Sequence, residues 1–482
     1  MDYSQFLAMK QEIGLLIVFL LVFLYDTFMP RKAQGGIGGV STVAFLLFTV
    51  WSFFCGCTEE VTEAFAGMYY TDAVTCAIKN ILCVGVVIVM IQSIKWADSE
   101  MTVIRRGEFY ELLLLTLFGM FLMISGRHFL LFVIGLETAS LPLAAMVAFD
   151  KARYESHEAA VKYVLTAVFS SAIFLLGISY VYGLAGSLYF STIAQAIAAE
   201  GTVSIMLIIA IAFVIAGIGF KLSLVPFHLW TADVYQGAPT NVTSYLSVIS
   251  KGAAAFAFLA VLWQAFGQVY SQAWEWMLYA LIILTITVGN LFAIRQTNMK
   301  RFLAFSSISQ AGYIMLGVIA FNGMGVSALM YYILVYIFSN LAAFGVIGAI
   351  ENATGKVDMR DYDGLYRRNP KLAFTMMLAM FSLAGIPPFA GFFSKFFIFT
   401  SAINQGSVAI YILVLIALIN TIISLYYYLL VVKAMFISTE QGDVPTFRSA
   451  FTERLGMTVC LAGILLLGIV SYFYNTLLTL HP

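Results

Sequence analysis

Charged residues are scarce in this chain of 482 residues. It holds 25 Lys and Arg against 25 Asp and Glu, which is 10% of the sequence, whereas 62% is hydrophobic. A soluble domain of this size carries about a quarter charged residues. The apolar residues also run in long blocks, many near the roughly 20 residues that cross a bilayer core. The composition therefore predicts an integral membrane protein, and the zero net charge gives no support for nucleic-acid binding.

Cysteine is also rare, with five in the chain. Only Cys55 and Cys57 are closely spaced, and no second pair completes a metal site. We interpret the cysteines as small apolar residues. The first apolar segment, Ile13–Phe28, is followed by no small-residue cleavage site, so we predict a retained helix rather than a signal peptide.

Hydropathy predicts an all-α fold of about fourteen transmembrane helices and no soluble domain. Loops after odd-numbered spans hold nearly all of the Lys and Arg, while loops after even-numbered spans hold only Arg127. Positive charge favours the cytoplasmic side. Both chain termini are therefore predicted on the other side, which agrees with an even number of spans.

Two spans contain proline-rich interruptions. The seventh, Ile205–Leu224, runs into Pro226, and the twelfth, Leu372–Ser401, contains Pro387 and Pro388. Proline breaks a helix, and broken helices survive in lipid only when buried in protein or beside water. Each break falls in the fourth member of a group of five spans. Because five is odd, consecutive groups enter the membrane from opposite sides, which is typical of inverted repeats in transporters.

This pattern predicts four parts of the chain. They are helices 1–3 in residues 1–107, a first inverted repeat in 108–266, a second in 267–435, and helix 14 in 436–482.

Several charged residues lie inside predicted spans, where each costs about 2.5–3.5 kcal/mol on insertion scales. Glu137 is about nine residues from either end of its span, Lys221 stands before the first break, Lys251 is near a span centre, and Lys395 follows the second break. Burial disfavours the charged form of lysine, so such a group can take and release a proton. The alternatives are structural pairing of Glu137 with a lysine, and snorkelling of Lys395 to the interface.

Three further residues are weaker candidates. His228 at the first break can relay protons or simply satisfy freed carbonyl groups. Lys79 and Lys162 lie within two turns of span ends. For these lysines snorkelling is the favoured interpretation, with pairing to Glu158 for Lys162.

The residues resemble a known family along nearly the whole chain. The matching strings are Phe132–Glu137 with Ser140-Leu141, Glu158–Tyr163 with Ser170-Ser171, Gly219–Lys221, Pro226–Trp230, Asp233, Tyr235, Gly237–Thr240, Ser250-Lys251, Lys300–Ser309, Leu383–Pro388, Gly391-Phe392 and Lys395. They are similar to the proton-pumping, antiporter-like subunits of bacterial NADH:quinone oxidoreductase (complex I). Gly135, which precedes Leu136 and Glu137, resembles the subunit N type.

The resemblance implies that Glu137, Lys221, Lys251 and Lys395 form a chain of proton-transfer groups, to which we add His228. It implies coupling to quinone reduction elsewhere in the complex, with FMN, iron–sulfur clusters and quinone in other subunits and no cofactor in this chain. The implied partners are sister antiporter-like subunits, small membrane subunits and the lipid bilayer. The implied location is the bacterial inner membrane, with both termini periplasmic.

One departure concerns Gln310, where many members of the subunit N type have histidine, so a relay through that position is in doubt. Two related functions stay open as alternatives. One is a multi-subunit cation/proton antiporter, against which the shortage of deep carboxylates argues. The other is an energy-converting membrane hydrogenase, which only the partner subunits would distinguish. A purely structural scaffold does not explain four deep charges.

Overall fold

The fold was obtained as a computed structural model. It describes residues 3–29, 34–56, 61–99, 105–200, 203–269, 273–438, 442–470 and 472–480. Cys57 lies outside these residues, as do Arg31 and Lys32, which contributed to the predicted charge bias.

The described chain is built almost wholly of α-helices. Thirteen of its helices are long and apolar enough to cross a membrane. In chain order the helices are α1 Lys10–Phe28, α2 Ile37–Phe54, α3 Ala73–Ala97, α4 Arg106–Ser125, α5 Phe129–Val147, α6 Tyr154–Ala185, α7 Phe190–Glu200, α8 Ile205–Leu222, α9 Leu229–Gly237, α10 Thr240–Tyr245, α11 Lys251–Phe266, α12 Glu275–Ala293, α13 Met299–Ile319, α14 Gly323–Thr354, α15 Leu365–Arg368, α16 Pro370–Ala384, α17 Ala390–Ile403, α18 Val408–Phe436, α19 Phe451–Ile469 and α20 Tyr472–Thr479.

The prediction of about fourteen spans agrees with the thirteen long helices if one further span, formed by two short helices, is counted. The twelfth predicted span is present as two shorter apolar helices, α16 and α17. Helices α13 and α14 lie at the centre, since the apolar window of α13 is wholly buried and that of α14 is 89% buried. Helices α1, α6 and α18 are largely exposed, as expected for surfaces that face lipid.

The first break separates α8 from α9 at Ser223–His228. Ser223 takes a left-handed conformation with φ 62°, and the Val225–Pro226 peptide bond is cis. Backbone groups freed by the break find partners in side chains. The amide of Val225 donates to Thr285 Oγ1 at 2.9 Å, and Trp230 Nε1 donates to the Phe220 carbonyl at 3.1 Å. The break is thus tolerated because neighbouring side chains satisfy its polar groups.

The second break separates α16 from α17 at Gly385–Phe389. Gly385 has φ +86°, which glycine adopts without a steric penalty. The start of α17 packs very closely on the end of α16, since a Cβ on Gly391 would lie 1.7 Å from the carbonyl oxygen of Ser382. Both interruptions predicted from proline are therefore present.

Some elements differ from the sequence-based expectation. Helix α7 is short and separate from the spans, and strands β1 Thr62–Ala64 and β2 Tyr69–Thr71 form an antiparallel hairpin before α3. The last predicted span ends early, because α19 stops at Ile469 and α20 follows as a separate helix. A π-helical turn, Leu246–Ser250, lies between α10 and α11.

Candidate functional site

The three candidate lysines are all deeply buried. Their exposed fractions are 6% for Lys221, 1% for Lys251 and 5% for Lys395. Snorkelling of Lys395 is therefore wrong, because its amine turns inward. Its Nζ donates to the carbonyl oxygens of Leu383 and Ala384, both at 3.0 Å. These carbonyls lie at the C-terminal end of α16, where the helix has no further amides to offer them.

Glu137 lies half-buried on α5 and accepts a hydrogen bond of 2.6 Å from Ser171 Oγ on α6. The Lys221 amine donates instead to Tyr163 Oη at 3.3 Å. Within the described chain no ion pair joins Glu137 to Lys221. The carboxylate is nevertheless close enough to Lys221 and to Tyr163 for a coulombic interaction with each. Glu137 and Lys221 therefore do not form the expected ion pair. Each is hydrogen-bonded to a hydroxyl group instead, Glu137 to Ser171 and Lys221 to Tyr163.

Aromatic rings separate Lys221 from Lys251. The amine of Lys221 lies 5.9 Å from the centroid of the Tyr163 ring, and that of Lys251 lies 5.7 Å from the centroid of the Tyr235 ring. Trp230 contacts both tyrosines, with centroids 5.3 Å from Tyr163 and 6.3 Å from Tyr235. Each amine therefore faces an aromatic ring at a distance typical of cation–π contacts.

Lys251 begins α11 directly after the π-helical turn, and its amine contacts α13. Its Nζ donates to Ser307 Oγ at 2.6 Å and to the Ser307 carbonyl at 3.0 Å. On the preceding π-helical turn, Ser247 Oγ accepts a hydrogen bond of 2.8 Å from the side chain of Asn340. π-turns within helices are frequent at functional sites. Here the turn places a lysine against a central, fully buried helix.

A line of polar groups continues from Ser307 to Lys395. Gln310 lies one helical turn beyond Ser307 on α13 and accepts a short hydrogen bond from Tyr332 Oη. Its amide nitrogen donates to Tyr428 Oη at 3.2 Å and to the Leu383 carbonyl at 3.4 Å. That carbonyl also accepts from Lys395. A small cavity lies among these groups and is bounded by Gln310, Tyr332 and Lys395.

His228 lies at the first break, partly buried, immediately before α9. It is close enough to Lys251 for an electrostatic interaction, and its Nδ1 has no hydrogen-bond partner in the described part of the chain. The break thus brings an imidazole near the central lysine. Among the described residues, no group of three His, Cys, Asp or Glu side chains could hold a metal ion.

Two clusters of paired charged residues near the ends of α9, α13 and α14 were not predicted from the sequence. Glu351 contacts Arg153 at 2.8 Å and Lys300 at 3.3 Å, and it accepts a short hydrogen bond from Thr240 Oγ1. Lys300 is 1% exposed and also donates to the Ala238 carbonyl at 2.9 Å.

The second cluster centres on Asp233 of α9, which contacts Lys162 and Arg301, each at 2.6 Å. Lys162 also pairs with Glu158 at 2.8 Å, as the sequence indicated. The matching strings in the sequence already contained Asp233, Lys300 and Arg301. Only the fold shows that Asp233 pairs with Arg301 and that Lys300 pairs with Glu351.

For Lys79, unlike Lys162, the structure contradicts the interpretation from the sequence. The favoured interpretation, snorkelling, is wrong because the side chain is 0% exposed and forms a 2.6 Å ion pair with Glu12, which is 1% exposed. Tyr69 contacts both groups, at 2.8 Å from Glu12 and 3.1 Å from Lys79. A lysine held in this way is neutralised by its partner, in contrast to Lys251 and Lys395.

Known proteins match the chain from end to end. The family model described as NADH:quinone oxidoreductase/Mrp antiporter, TM, matches residues 126–424. NADH-quinone oxidoreductase subunit N of Phocaeicola vulgatus is 51% identical over 99% of this chain and 99% of its own. Subunit N of Azobacteroides pseudotrichonymphae is 50% identical over 100% of this chain and 98% of its own.

Solved structures agree with these relatives. A chain of respiratory complex I from Thermus thermophilus with bound aureothin matches with a TM-score of 0.80 and 30% identity, over 96% of this chain and 97% of that one. A chain of the Mrp complex from Dietzia matches with a TM-score of 0.82 at 20% identity, over 99% of this chain and 97% of that one, which shows a shared fold. The chain belongs to the NADH-quinone oxidoreductase subunit N family of multi-pass membrane proteins.

Proposed function

We propose that this chain translocates protons in a respiratory NADH:quinone oxidoreductase, through Glu137, Lys221, Lys251 and Lys395. The observation that carries the proposal is the surroundings of Lys251. The residue is almost wholly buried, and among the described residues its amine hydrogen-bonds only to neutral oxygen atoms of Ser307. A structural lysine at such depth is expected to pair with a carboxylate, as Lys79 does with Glu12.

The steps follow from the contacts of each group. Lys221 and Lys251 exchange a proton through water among the aromatic rings that separate them. Glu137 stabilises the charged form of Lys221 by its coulombic field, and the proton leaves Lys221 when that contact loosens. Lys251 passes a proton past Ser307 and Gln310 toward Lys395, and His228 takes part on the side of the first break. These groups act as one coupled network, so no step belongs to a single residue.

In this proposal the chain performs no redox chemistry of its own. FMN, iron–sulfur clusters and quinone belong to other subunits, whose energy reaches this chain through neighbouring membrane subunits. Sister antiporter-like subunits and small membrane subunits are the proposed neighbours. The proposed location is the bacterial inner membrane.

The test uses Lys251→Ala in the assembled complex in inverted membrane vesicles. NADH oxidation and acidification of the vesicle interior are followed together. Removing a proton-transfer group typically lowers the rate by a factor of about 10²–10⁴, so acidification is expected to be nearly abolished. Lys356→Ala is the control, since Lys356 pairs on the exposed side with Asp443. Normal acidification at a normal oxidation rate in Lys251→Ala refutes the role of Lys251, and sodium-dependent transport would instead favour a cation/proton antiporter.

We further propose that residues 108–266 and 267–435 are inverted repeats, flanked by residues 1–107 and 436–482, with both termini periplasmic. Two features support this. Each break has a left-handed residue at its helix end, Ser223 or Gly385, and each lies near one buried lysine of the set. A C-terminal alkaline phosphatase fusion, active only in the periplasm, is expected to be active, whereas a fusion at Gly355 is expected to be inactive. The reverse pattern contradicts the orientation.

A further inference from the structure

A large cleft lies outside the charged network, where α16 and α19 begin. It has a volume of about 520 Å³ and lies between the first turns of these helices and the segment 442–450 that leads into α19. This volume is comparable to that of clefts that bind small molecules. The proposed proton route uses none of the residues that line it.

The cleft is strongly basic. Its wall contains four cationic side chains, Arg368, Lys371, Arg448 and Arg454. No Asp or Glu is among the described residues that line it. Two carboxylates that neighbour the lining residues in the sequence are engaged elsewhere, because Asp443 contacts Lys356 at 3.1 Å and Glu453 is buried and caps the amide of Ala450 at 2.9 Å. Such a cleft attracts an anion.

Hydrogen bonds from Arg368 and Asn369 hold one wall of the cleft in place. Arg368 donates to the carbonyl oxygens of Gly442 and Val444, the latter at 2.9 Å. The Asn369 side chain donates to the Pro445 carbonyl at 2.9 Å and accepts from the Phe447 amide at 3.2 Å. These bonds fix the segment 442–450 over the start of α16, so the other three cations converge on a preformed space.

The cleft also has an apolar side. Leu372 in the first turn of α16 and Met457 in the second turn of α19 line it. Both helices lead into the membrane from this point, and their N-terminal ends carry the positive end of the helix dipole. The rim is therefore cationic while the depth is apolar, an arrangement that suits an amphiphile with an anionic head. Basic pockets between transmembrane helices bind the heads of anionic lipids in this way.

We propose that this cleft binds an anionic phospholipid of the bilayer. The phosphate group contacts Lys371, Arg448 and Arg454, and the acyl chains descend along α16 and α19 beside Leu372 and Met457. The proposal is independent of the proton route. It predicts a lipid retained through purification rather than one exchanging freely with the bulk bilayer.

The test compares two triple variants of the chain within the purified complex. Lys371→Gln, Arg448→Gln and Arg454→Gln together remove the cleft cations. Lys151→Gln, Arg360→Gln and Arg367→Gln remove the same charge from exposed positions that do not line the cleft. Each complex is delipidated and titrated with a photoreactive phosphatidylglycerol, and labelled peptides are mapped by mass spectrometry. The cleft variant is expected to lose labelling of peptides 368–375 and 446–458 at least tenfold, since each cation near a membrane surface strengthens binding by about 1 kcal/mol.

Three arms decide the outcome. Photoreactive phosphatidylcholine should label the same peptides much less than phosphatidylglycerol does. Inorganic phosphate at millimolar concentration should not displace the lipid, and displacement would assign the cleft to free phosphate and overturn the proposal. A conservative variant, Arg448→Lys with Arg454→Lys, should retain labelling, which separates loss of charge from loss of folding. Equal labelling of the cleft variant and the unaltered complex, or equal loss in both triple variants, overturns the proposal.

Discussion

Gln310 and Lys395 donate hydrogen bonds to the same oxygen atom, the carbonyl of Leu383, at 3.4 and 3.0 Å. This carbonyl lies in the last turn of α16, so the second helix break links the central helix α13 to the lysine beyond it. The sequence puts a relay through position 310 in doubt, because this chain has glutamine where many members of the subunit N type have histidine. The glutamine present here cannot carry a proton, but it bridges Tyr332, Tyr428 and the broken helix. It therefore acts as a positioning residue in the proposed route.

Gln310→Leu tests this bridge, because leucine keeps the volume and removes every hydrogen bond. We expect acidification by inverted vesicles to fall at least fivefold, since one net hydrogen bond is worth about 1 kcal/mol and the Gln310 side chain makes three. Gln310→His should retain most acidification and should add a dependence on pH between 5 and 8, where imidazole titrates. A leucine variant with unchanged acidification would show that the bridge is dispensable.

Ser307→Ala removes the hydroxyl acceptor of Lys251 but leaves the backbone carbonyl of residue 307 in place. We expect a smaller loss of acidification than in Lys251→Ala, within about tenfold of the unaltered complex, since one acceptor of two remains. Ser309→Ala on the same helix serves as the control, because the Lys251 amine donates to Ser307 and not to Ser309. Equal losses at positions 307 and 309 would argue against a specific contact with Lys251.

Glu12→Gln tests the buried ion pair with Lys79. Breaking a buried pair from one side leaves an uncompensated charge, which destabilises by about 3–5 kcal/mol. We expect a clearly lower thermal unfolding temperature of the purified complex, and partial recovery in the double variant Glu12→Gln with Lys79→Met. If the double variant is less stable than both single variants, the pair has another role in this part of the chain.

Gly391→Ala tests the close approach of α17 to α16. The added methyl group would lie 1.7 Å from the Ser382 carbonyl oxygen, so the two half-helices must separate. Overpacking of this kind typically destabilises by about 1–3 kcal/mol. We expect reduced assembly into the complex, measured by native gel electrophoresis. Gly39→Ala is the matched control, since a Cβ there meets no atom within 4 Å, and it should assemble normally.

The sequence was sufficient for the features that depend on local chemistry. Long apolar runs predicted the spans, and Pro226 with Pro387-Pro388 predicted both breaks, because proline removes a backbone donor and clashes with the preceding turn. Depth within a span also selected Lys221, Lys251 and Lys395, which are all buried.

Features that depend on tertiary contacts could not be predicted from the sequence. Glu12 and Lys79 are 67 positions apart, so their pairing depends on the tertiary fold, in which α1 packs on α2 and α4. The same holds for Asp233 with Arg301 and for Glu351 with Lys300. The π-helical turn before Lys251 lies in a segment that is buried on all sides, so no periodicity of apolar residues marks it.

The carbonyl groups at the end of α16 give the second break a chemical consequence. They carry no proton and no formal charge, so the proton release that we propose for Lys395 would strand no negative charge in the low-dielectric interior. A lysine facing a carboxylate would leave a lone anion at that moment. The end of an interrupted helix can thus bind a lysine in both its charged and its neutral form, without leaving an unpaired anion in the protein interior.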